Sequence, residues 1–232
     1  MLWVLDISKR FGAIDALRRV SFEVRENEIL GLIGPNGSGK TTLMETVSGL
    51  LPCDSGTVSW QGEPLREHRK REKIFYLPDG VLPYEDAPVS QTLDFFARSF
   101  QTPQEQIALA IERLELRSVM GKRAGQLSKG FRKRVCLAIA LFAPQAVLFL
   151  DEPFDGFDLK QGLRVMDLLR QVKKAGKTLF LSIHQLSDAQ KICERLVLLS
   201  DGKIVGSGTL PELQRQAKSP SKNLEEVFLD LT

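Results

Sequence analysis

Residues 29–44 read ILGLIGPNGSGKTTLM, an apolar run that passes directly into a glycine-rich segment. The run from Ile29 to Ile33 is typical of a buried strand. The segment from Gly34 to Thr41 has glycines, a lysine and a threonine at the spacing of a phosphate-binding loop. Apolar residues between Leu43 and Leu50 then recur at helical spacing. The stretch therefore predicts a strand, a loop that holds phosphate groups and a helix, in that order.

This loop predicts nucleotide binding through the chemistry of its residues. Glycines let successive backbone N–H groups turn toward phosphate oxygens, and the N-terminal end of the following helix adds positive potential. Lys40 is placed to reach the β- and γ-phosphates, and the Thr41 hydroxyl is placed to ligate Mg²⁺. The alternative is a glycine-rich turn without a ligand, which the flanking strand and helix disfavour. The expected nucleotide contacts are Gly34, Pro35, Asn36, Gly37, Ser38, Gly39, Lys40, Thr41 and Thr42.

A second apolar strand leads into two acidic residues. Val147 to Leu150 is apolar, and Asp151 and Glu152 follow it. In parallel α/β sheets, ligands bind outside the carboxyl ends of the strands. We therefore predict that Asp151 reaches the Mg²⁺ shell and that Glu152 polarises an attacking water molecule. An acidic turn without a role is the alternative, and the presence of a phosphate loop in the same chain argues against it.

The segment from Leu127 to Phe131 precedes a third apolar, helical stripe. Ser128 stands where a helix N-cap is expected, so its hydroxyl and the neighbouring N–H groups are able to hold an anion. A plain helix cap explains the same residues. The segment by itself favours the plain cap.

The whole pattern predicts one α/β domain over residues 1–232 with the core of a P-loop NTPase. Apolar strands such as Leu2–Ile7 and Val20–Val24 predict an N-terminal antiparallel β subdomain. Helical periodicity replaces the strands over about 83–144, which predicts an inserted α-helical subdomain. Strands and helices alternate again after this insert.

Two polar segments interrupt the apolar pattern. The basic run Arg66 to Lys73 is predicted to be a solvated surface, with contact to lipid head groups or to a partner as the alternative. The linker from Lys218 to Lys222 precedes a last helix over about 223–231, which Asn223 is placed to cap.

Composition limits the possible functions. The chain has 32 Lys and Arg against 29 Asp and Glu, and a formal charge of +3 is too small to predict nucleic-acid binding. The three cysteines are widely spaced, which favours a reducing cytoplasm over a disulfide framework. The longest apolar run, Val135 to Phe142, is shorter than the ~20 residues that cross a bilayer, and the N-terminus lacks the pattern of a signal peptide. We expect a soluble chain whose role at a membrane depends on a partner.

In their order along the chain, these motifs resemble those of one family, the ATP-binding subunits of ABC transporters. The phosphate loop looks like the Walker A motif, and Leu127 to Phe131 resembles the signature sequence. Asp151 and Glu152 look like Walker B with its catalytic glutamate. Asp155 to Asp158 resembles the D-loop, and Ser182 to His184 resembles the strand that ends in the switch histidine. The resemblance covers essentially the whole chain.

That resemblance implies a mechanism and its cofactors, ATP and Mg²⁺. Two ATP-binding subunits pair head to tail, as a homo- or heterodimer, and Ser128 and Gly130 act on the γ-phosphate bound by the other subunit. Glu152 and His184 are the implied catalytic residues, His184 at the γ-phosphate of its own chain. Phe11, expected just after the first strand, stacks on adenine. The dimer then powers a transmembrane permease subunit from the inner face of the cell membrane, and no nucleic acid is expected as a partner.

Three positions depart from the family pattern. The family usually has Gln where this chain has Asp79, a position that approaches Mg²⁺ and couples to the transmembrane partner. An aspartate is still able to ligate the metal, but it adds negative charge beside Asp151 and Glu152. Lys129 replaces a common Gly, and Phe131 replaces a common Gln. The expected metal ligands are Thr41, Asp79 and Asp151.

The C-terminal sequence favours export. Leu224 to Leu229, which follows Lys203 to Gly208, is similar to the ending common in export-type ATP-binding subunits. Two other functions stay open: a soluble ABC ATPase that acts on nucleic acid or on a protein assembly, and a hydrolysis-weakened subunit of a heterodimeric transporter. The chain lacks the long coiled coils or tandem ATPase domains of the first class, and intact Glu152 and His184 argue against the second.

Overall fold

The structure, a computed structural model, describes residues 1–218 and 223–232. Its strands are β1 (Leu2–Phe11), β2 (Ile14–Val24), β3 (Ile29–Ile33), β4 (Ser55–Trp60), β5 (Glu63–Pro64), β6 (Ile74–Leu77), β7 (Val147–Asp151), β8 (Thr178–Ser182), β9 (Arg195–Ser200) and β10 (Lys203–Gly208). Its α-helices are α1 (Lys40–Ser48), α2 (Glu67–Lys73), α3 (Val89–Ser99), α4 (Gln104–Arg113), α5 (Lys129–Phe142), α6 (Leu159–Lys174), α7 (Leu186–Ile192), α8 (Leu210–Gln216) and α9 (Leu224–Leu231).

The strands form two sheets, which confirms the predicted α/β class. An N-terminal antiparallel sheet has the order β2-β1-β4-β5, and a central sheet has the order β10-β9-β3-β8-β7-β6. In the central sheet, β9, β3, β8, β7 and β6 are parallel, and β10 pairs antiparallel with β9. The carboxyl ends of the parallel strands therefore lie along one edge, where the phosphate loop and the predicted acidic residues follow their strands.

The central sheet is buried on both faces because a separate hydrophobic core covers each one. On β3, Ile29 and Ile33 belong to one core and Leu30 and Leu32 to the other, as expected where successive side chains point to opposite faces. One core packs the sheet against α1 and the N-terminal sheet, and the other packs it against α5, α6 and α7. This enclosure explains why the central strands read as continuous apolar runs.

Helices α3, α4 and α5 occupy the region where helical periodicity was expected. Residues 134–142 of α5 are all buried, because α5 lies between the central sheet and the helices α3 and α4. Thr102 fixes the end of α5 by donating its hydroxyl hydrogen to the Phe142 carbonyl, at 3.0 Å. Within the described residues, no helix combines the length and the apolar composition needed to cross a bilayer.

Two strand boundaries were wrong in the sequence analysis. Strand β1 continues to Phe11, which is therefore its last residue and does not follow it, and β2 starts at Ile14 and not at Val20. Much of this hairpin is exposed, and its two strands are held together by their mutual backbone pairing. Apolar alternation does not reveal strands of this kind, because they bury few side chains.

The prediction of a solvated basic run was wrong for Lys70. The run forms α2, and the side chain of Lys70 is 2% exposed. Its Nζ donates to the Thr46 carbonyl at 3.2 Å, and Arg71 donates to the Gly49 carbonyl at 2.8 Å. Both cations bind the C-terminal end of α1, where carbonyl groups lack helical partners and the helix dipole favours positive charge. Leu50, predicted on the apolar side of α1, lies beyond the end of this helix and is 51% exposed.

At the C-terminus, the predicted capping of the last helix is confirmed. The Asn223 side chain accepts from the Glu226 N–H at 2.9 Å, and the Asn223 N–H donates to the Glu226 carboxylate at 3.1 Å. Leu224 and Val227 of α9 are fully buried. Residues 219–222 of the predicted linker lie outside the described residues. Helix α8, which precedes them, was missed in the sequence analysis.

Candidate nucleotide site

The phosphate loop joins the buried end of β3 to the start of α1. Gly39, directly before α1, has a φ of +103°, and a Cβ atom there would lie 2.6 Å from the Ala16 carbonyl oxygen. Only glycine fits this backbone without strain. The loop is also tied to its surroundings, because the Gly202 N–H donates to the Ser38 carbonyl at 3.0 Å. The turn that brings α1 to the edge of the sheet is thus fixed by close packing of backbone on backbone.

Helix α1 begins without a side-chain cap within the described residues. The first N–H groups of a helix have no partners inside the helix, and the helix dipole makes this end positive. Side chains or ligands usually satisfy such groups. The start of α1 is therefore suited to hold an anion.

Lys40, the first residue of α1, lies folded across the loop. Its Nζ donates to the carbonyl oxygens of Gly34 at 2.8 Å and Pro35 at 3.2 Å. Burial lowers the pKa of Lys40, and the nearby carboxylates of Glu152 and Asp151 oppose that shift. The loop thus places the ammonium group of Lys40 beside the cavity, and phosphate oxygens are able to replace the carbonyls of Gly34 and Pro35 as its acceptors.

Asp151, the last residue of β7, connects three other elements. Its Oδ2 accepts hydrogen bonds from the hydroxyls of Thr41 on α1 and Tyr76 on β6, each at 3.2 Å, and its Oδ1 accepts from the Ser182 hydroxyl on β8. Burial and the charge of Asp151 raise the pKa of Tyr76, so the phenol stays a donor. These contacts hold the carboxylate beside the start of α1.

The oxygen atoms of Thr41 and Asp151 fit Mg²⁺, which prefers hard oxygen ligands. Among residues 1–218 and 223–232, no group of three His, Cys, Asp or Glu side chains forms a metal site by itself. Mg²⁺ sites in nucleotide-binding proteins usually combine one or two carboxylates with phosphate oxygens and water. The donor set therefore suits a metal ion that arrives with a nucleotide.

Glu152 follows Asp151 in a sharply turned backbone, with a φ of +50°. Its N–H donates to both the carbonyl and the hydroxyl of Ser182, at 3.2 and 3.1 Å. Burial raises the pKa of the Glu152 carboxyl; Lys40 opposes this shift, Asp151 adds to it, and His184 opposes it. The turn therefore holds a carboxylate that is more basic than an ordinary glutamate.

A cavity of about 590 Å³ opens at this edge of the sheet. It brings together nine of the residues predicted from sequence: Asn36, Gly37, Gly39, Lys40, Thr41, Thr42, Asp79, Asp151 and Glu152. Gly34, Pro35 and Ser38 are not in its lining, and two of them supply the carbonyls that hold Lys40. Phe11 is also outside the lining; its ring is half exposed, with the Lys9 Nζ 5.6 Å from the ring centroid.

Six further residues line the same cavity and were missed in the sequence analysis. They are Ile14, Asp15, Ala16, Arg18, Asp201 and Gly202. They come from the first half of β2, whose apolar residues do not alternate regularly, and from the turn between β9 and β10. The Asp201-Gly202 pair could have indicated that turn from the sequence, because an Asp-Gly pair is typical of turns. It follows β9, the strand next to β3, and therefore lies at the same edge of the sheet as the phosphate loop.

A second cavity, of about 390 Å³, lies on the other side of Glu152. His184, Asp155 and Asp158 line it together with Glu152. Asp158 also caps α6, because its Oδ1 accepts from the Gln161 N–H at 2.8 Å. Glu152 therefore borders both cavities, between the phosphate loop and the exposed His184.

The segment Leu127–Phe131 starts α5 away from the phosphate loop. Ser128 caps the helix by accepting from the Phe131 N–H at 3.4 Å, which confirms the predicted N-cap. The Lys129 Nζ binds Asp155 Oδ2 at 2.9 Å, and the Phe131 ring lies 3.9 Å from the guanidinium of Arg134. Leu127 is buried, whereas Ser128 and Lys129 are exposed. None of the five residues 127–131 lines the phosphate-loop cavity.

The match to a family model decides which proteins this chain is related to. The model described as ABC transporter matches residues 17–155, more than half of the chain. The chain belongs to the ABC transporter family. The resemblance read from the motifs is confirmed, and the export-type branch stays a prediction.

Relatives and solved structures agree with this assignment to the ABC transporters. YxlF of Bacillus subtilis (strain 168), an ABC transporter ATP-binding protein, is 36% identical over 223 residues, which cover 94% of this chain and 74% of that protein. The Nod factor export ATP-binding protein I of Burkholderia orbicola (strain AU 1054) is 33% identical over 211 residues, covering 88% of this chain and 69% of that protein. A solved ATP-binding subunit of an ABC transporter has a TM-score of 0.90 and 26% identity, with 100% of this chain and 99% of that chain covered.

This ABC transporter subunit keeps its unusual residues in ordered contacts. Asp79, where the family usually has Gln, lies beyond the end of β6, and Lys133 donates to its Oδ1 at 3.1 Å. Lys129 binds Asp155, and Phe131 packs on Arg134, as described above. Each of the three residues therefore has a partner inside the chain.

Proposed function

We propose that the chain binds Mg-ATP at its phosphate loop, hydrolyses it, and powers a separate transmembrane subunit that exports a substrate. The observation that carries the proposal is the contact of Thr41 with Asp151, which holds two metal-binding oxygens at the start of an uncapped helix. Lys40 and Glu152 border the same cavity. Membership of the ABC transporter family accounts for the ATP-binding role.

The residues of the site have separate roles in ATP hydrolysis. Lys40 exchanges the carbonyls of Gly34 and Pro35 for the β- and γ-phosphates of ATP, as the lysine of such loops does. Thr41 and Asp151 would hold Mg²⁺, which would neutralise the negative charge that develops on the phosphates during hydrolysis. Glu152 orients water and accepts its proton, and its raised pKa brings it closer to the value that suits a base near neutral pH.

A second subunit completes the proposed site. Ser128 is exposed at the start of α5, and Gly130, two residues later, is partly exposed, so a nucleotide bound by another copy or by a related subunit can reach both. We propose the head-to-tail arrangement, in which these residues meet the γ-phosphate held by Lys40 of the facing chain. Asp158 and His184 line the neighbouring cavity and come to the same interface in this arrangement.

The transmembrane partner has a suitable surface beside Asp79. A largely apolar cavity of about 640 Å³ lies between α3 and the segment that follows β6. Val81, Leu82, Tyr84 and Phe95 line it and are exposed. Exposed apolar patches of this kind mark interaction sites. We propose that an intracellular loop of the transmembrane subunit docks here, which places the chain at the inner face of the cell membrane.

Two observations support the export direction. The ending that contains α9 is similar to that of export-type subunits, and the named Nod factor export protein is a relative. A vesicle assay with the co-purified membrane subunit tests the direction: ATP added on the side that carries this chain should drive substrate away from that side. Accumulation on the same side would contradict export and leave ATP-driven transport intact.

Two variants test ATP binding and hydrolysis separately. The parent chain should bind Mg-ATP and release phosphate, Lys40→Ala should weaken ATP binding by about two orders of magnitude, and Glu152→Gln should bind ATP but lose at least ~100-fold in turnover. ATP binding is measured by calorimetry, and turnover by phosphate release.

Equal ATP affinity for the parent and Lys40→Ala would contradict the proposed site. Tight ATP binding by the parent without turnover would instead assign this chain to the hydrolysis-weakened class, which the unusual Asp79, Lys129 and Phe131 favour. The Glu152→Gln variant also tests pairing. ATP should convert it from monomer to dimer in gel filtration, and a monomer at every ATP concentration would contradict a homodimer.

A further inference from the structure

The Asp79 carboxylate adds a third negative charge to the end of the phosphate-loop cavity where Thr41 and Asp151 are expected to bind Mg²⁺. Asp79 lines the cavity together with Asp151 and Glu152. Like charges in one site disfavour each other, and the charges of Asp151 and Asp79 both contribute to the raised pKa of Glu152, whose main cause is burial. An unpaired aspartate here would therefore oppose the entry of an anionic nucleotide.

Lys133 on α5 supplies the opposite charge. Its Nζ lies 3.1 Å from Asp79 Oδ1, and the side chains of Lys133 and Asp79 are 13% and 45% exposed. Lys133 is one helical turn beyond Lys129, which binds Asp155 with its Nζ. The two lysines share one face of α5, and each holds a carboxylate from a different loop at the carboxyl edge of the sheet. The hydrogen bond from Lys129 lowers the pKa of Asp155 most; burial raises this pKa, and the charge of Lys133 lowers it further.

We propose that Lys133 is a positioning residue that holds and neutralises Asp79, and thereby sets how strongly nucleotide binding depends on Mg²⁺. This inference rests on the proposed function. Asp79 paired with Lys133 adds almost no net charge to the cavity. Asp79 alone repels metal-free nucleotide more than the Mg²⁺ complex, because the metal-free form carries more negative charge. Lys133 alone has the opposite effect.

The measured quantity is the dissociation constant of ADP in EDTA divided by that of ADP with Mg²⁺, by calorimetry on the full chain. ADP avoids turnover, and the ratio removes any change that affects both forms equally. Lys133→Met should raise this ratio, and Asp79→Asn should lower it, each on the order of threefold to tenfold, as expected for one partly screened unit charge. The double variant should return close to the parent ratio, because both charges are then absent.

Lys173→Met is the matched control. Lys173 on α6 pairs with Glu194 at 2.7 Å, and the two side chains are 22% and 49% exposed, close to the values for Lys133 and Asp79. This pair is not in the lining of the phosphate-loop cavity. Its loss should leave the ratio unchanged. Thermal unfolding of each variant checks that α5 and α6 stay folded.

Distinct outcomes separate the inference from the proposed function. If Lys133→Met changes both dissociation constants by the same factor, or if the double variant shifts as far as Lys133→Met, Lys133 has only a structural role. If parent and Lys40→Ala both fail to bind ADP, the proposed nucleotide site itself is wrong, and the positioning role falls with it. A ratio that rises in Lys133→Met, falls in Asp79→Asn and returns in the double variant supports the proposal.

Discussion

Helices α1 and α5 both start at the functional edge of the molecule, but their first turns are built differently. Helix α1 starts after Gly39 without a side-chain cap among the described residues, and its first residues, Lys40, Thr41 and Thr42, line the phosphate-loop cavity. Helix α5 starts after Ser128, whose hydroxyl caps it, and its second turn carries Lys133 bound to Asp79. The start of α1 is therefore free to hold a nucleotide bound by the same chain. The start of α5 already has partners within the chain, and a ligand must replace those contacts in order to bind there.

The difference has a physical basis in the backbone. The loop before α1 depends on a conformation that only glycine adopts easily, and the close approach of Ala16 enforces it. The start of α5 has ordinary dihedral angles, so side chains can be exchanged there without rebuilding the turn. This explains how Lys129 and Phe131 stand where the family usually has other residues.

The largest effect is expected from an alanine at the start of α1. Gly39→Ala forces a φ of +103° on a residue with a Cβ and places that atom 2.6 Å from the Ala16 carbonyl. We expect a loss of about 2–3 kcal/mol in the free energy of unfolding and a fall of about 100-fold in ATP affinity. Thermal unfolding and calorimetry measure the two quantities.

The matched substitution on α5 is Gly130→Ala. A Cβ there would meet only the Gly156 carbonyl oxygen, at 3.6 Å, and alanine is the better helix former, so the unfolding midpoint of the isolated chain should not fall. An equal loss of stability in both variants would show that the starts of α1 and α5 are equally constrained.

A smaller effect is expected when the cap of α5 is removed. Ser128→Ala leaves the Phe131 N–H without its side-chain acceptor, and the 3.4 Å length of that bond places the cost at about 0.5–1 kcal/mol of unfolding free energy. Urea unfolding measures the difference. Ser128→Thr is the control, since threonine keeps the hydroxyl; a threonine variant as unstable as the alanine variant would rule out the cap as the cause.

A smaller loss of unfolding free energy is expected when the ring of Phe131 is removed. Its ring lies 3.9 Å from the guanidinium of Arg134, and Arg134 is buried and also binds Glu115. Phe131→Gln restores the residue that is usual in the family but removes the cation–π contact, at a cost of about 0.5 kcal/mol. Phe131→Tyr should keep the stability of the parent. A glutamine variant more stable than the parent would show that the ring contact does not stabilise α5.

The phosphate loop and the acidic strand end could be predicted from sequence because a short local pattern determines them. Gly34 to Thr41 needs its glycines for its own turn, and Asp151 ends a strand that is buried on both faces. The same reasoning predicted the order of the central strands along the chain, since enclosure by two cores makes each strand a continuous apolar run.

Other features depend on contacts between distant segments and leave little trace in the local pattern. Lys70 looked like a surface residue because its neighbours are charged, yet it binds the end of α1. The partnership of Lys133 with Asp79 joins residues 54 positions apart, and no periodicity in either segment indicates it. The first half of β2 is largely exposed and its apolar residues do not alternate regularly, so the sequence did not indicate that it lines the cavity.

The smallest expected effect is on the melting temperature, and it comes from the Glu152 carboxylate, which shares the phosphate-loop cavity with Lys40 at the start of α1. Burial raises the pKa of Glu152, so the folded chain binds a proton more readily there than the unfolded chain does. Folding stability must then rise as the pH falls through the folded-state pKa, and above that pKa the charged carboxylate costs stability.

Glu152→Gln removes this cost, and its melting temperature should exceed that of the parent by about 1–2 °C at pH 8. The advantage should shrink as the pH approaches 4, where the parent is protonated as well. Differential scanning calorimetry across this range measures it. A constant difference between parent and variant at every pH would mean that the carboxylate does not titrate differently in the folded chain, and that the base proposed to face Lys40 is an ordinary glutamate.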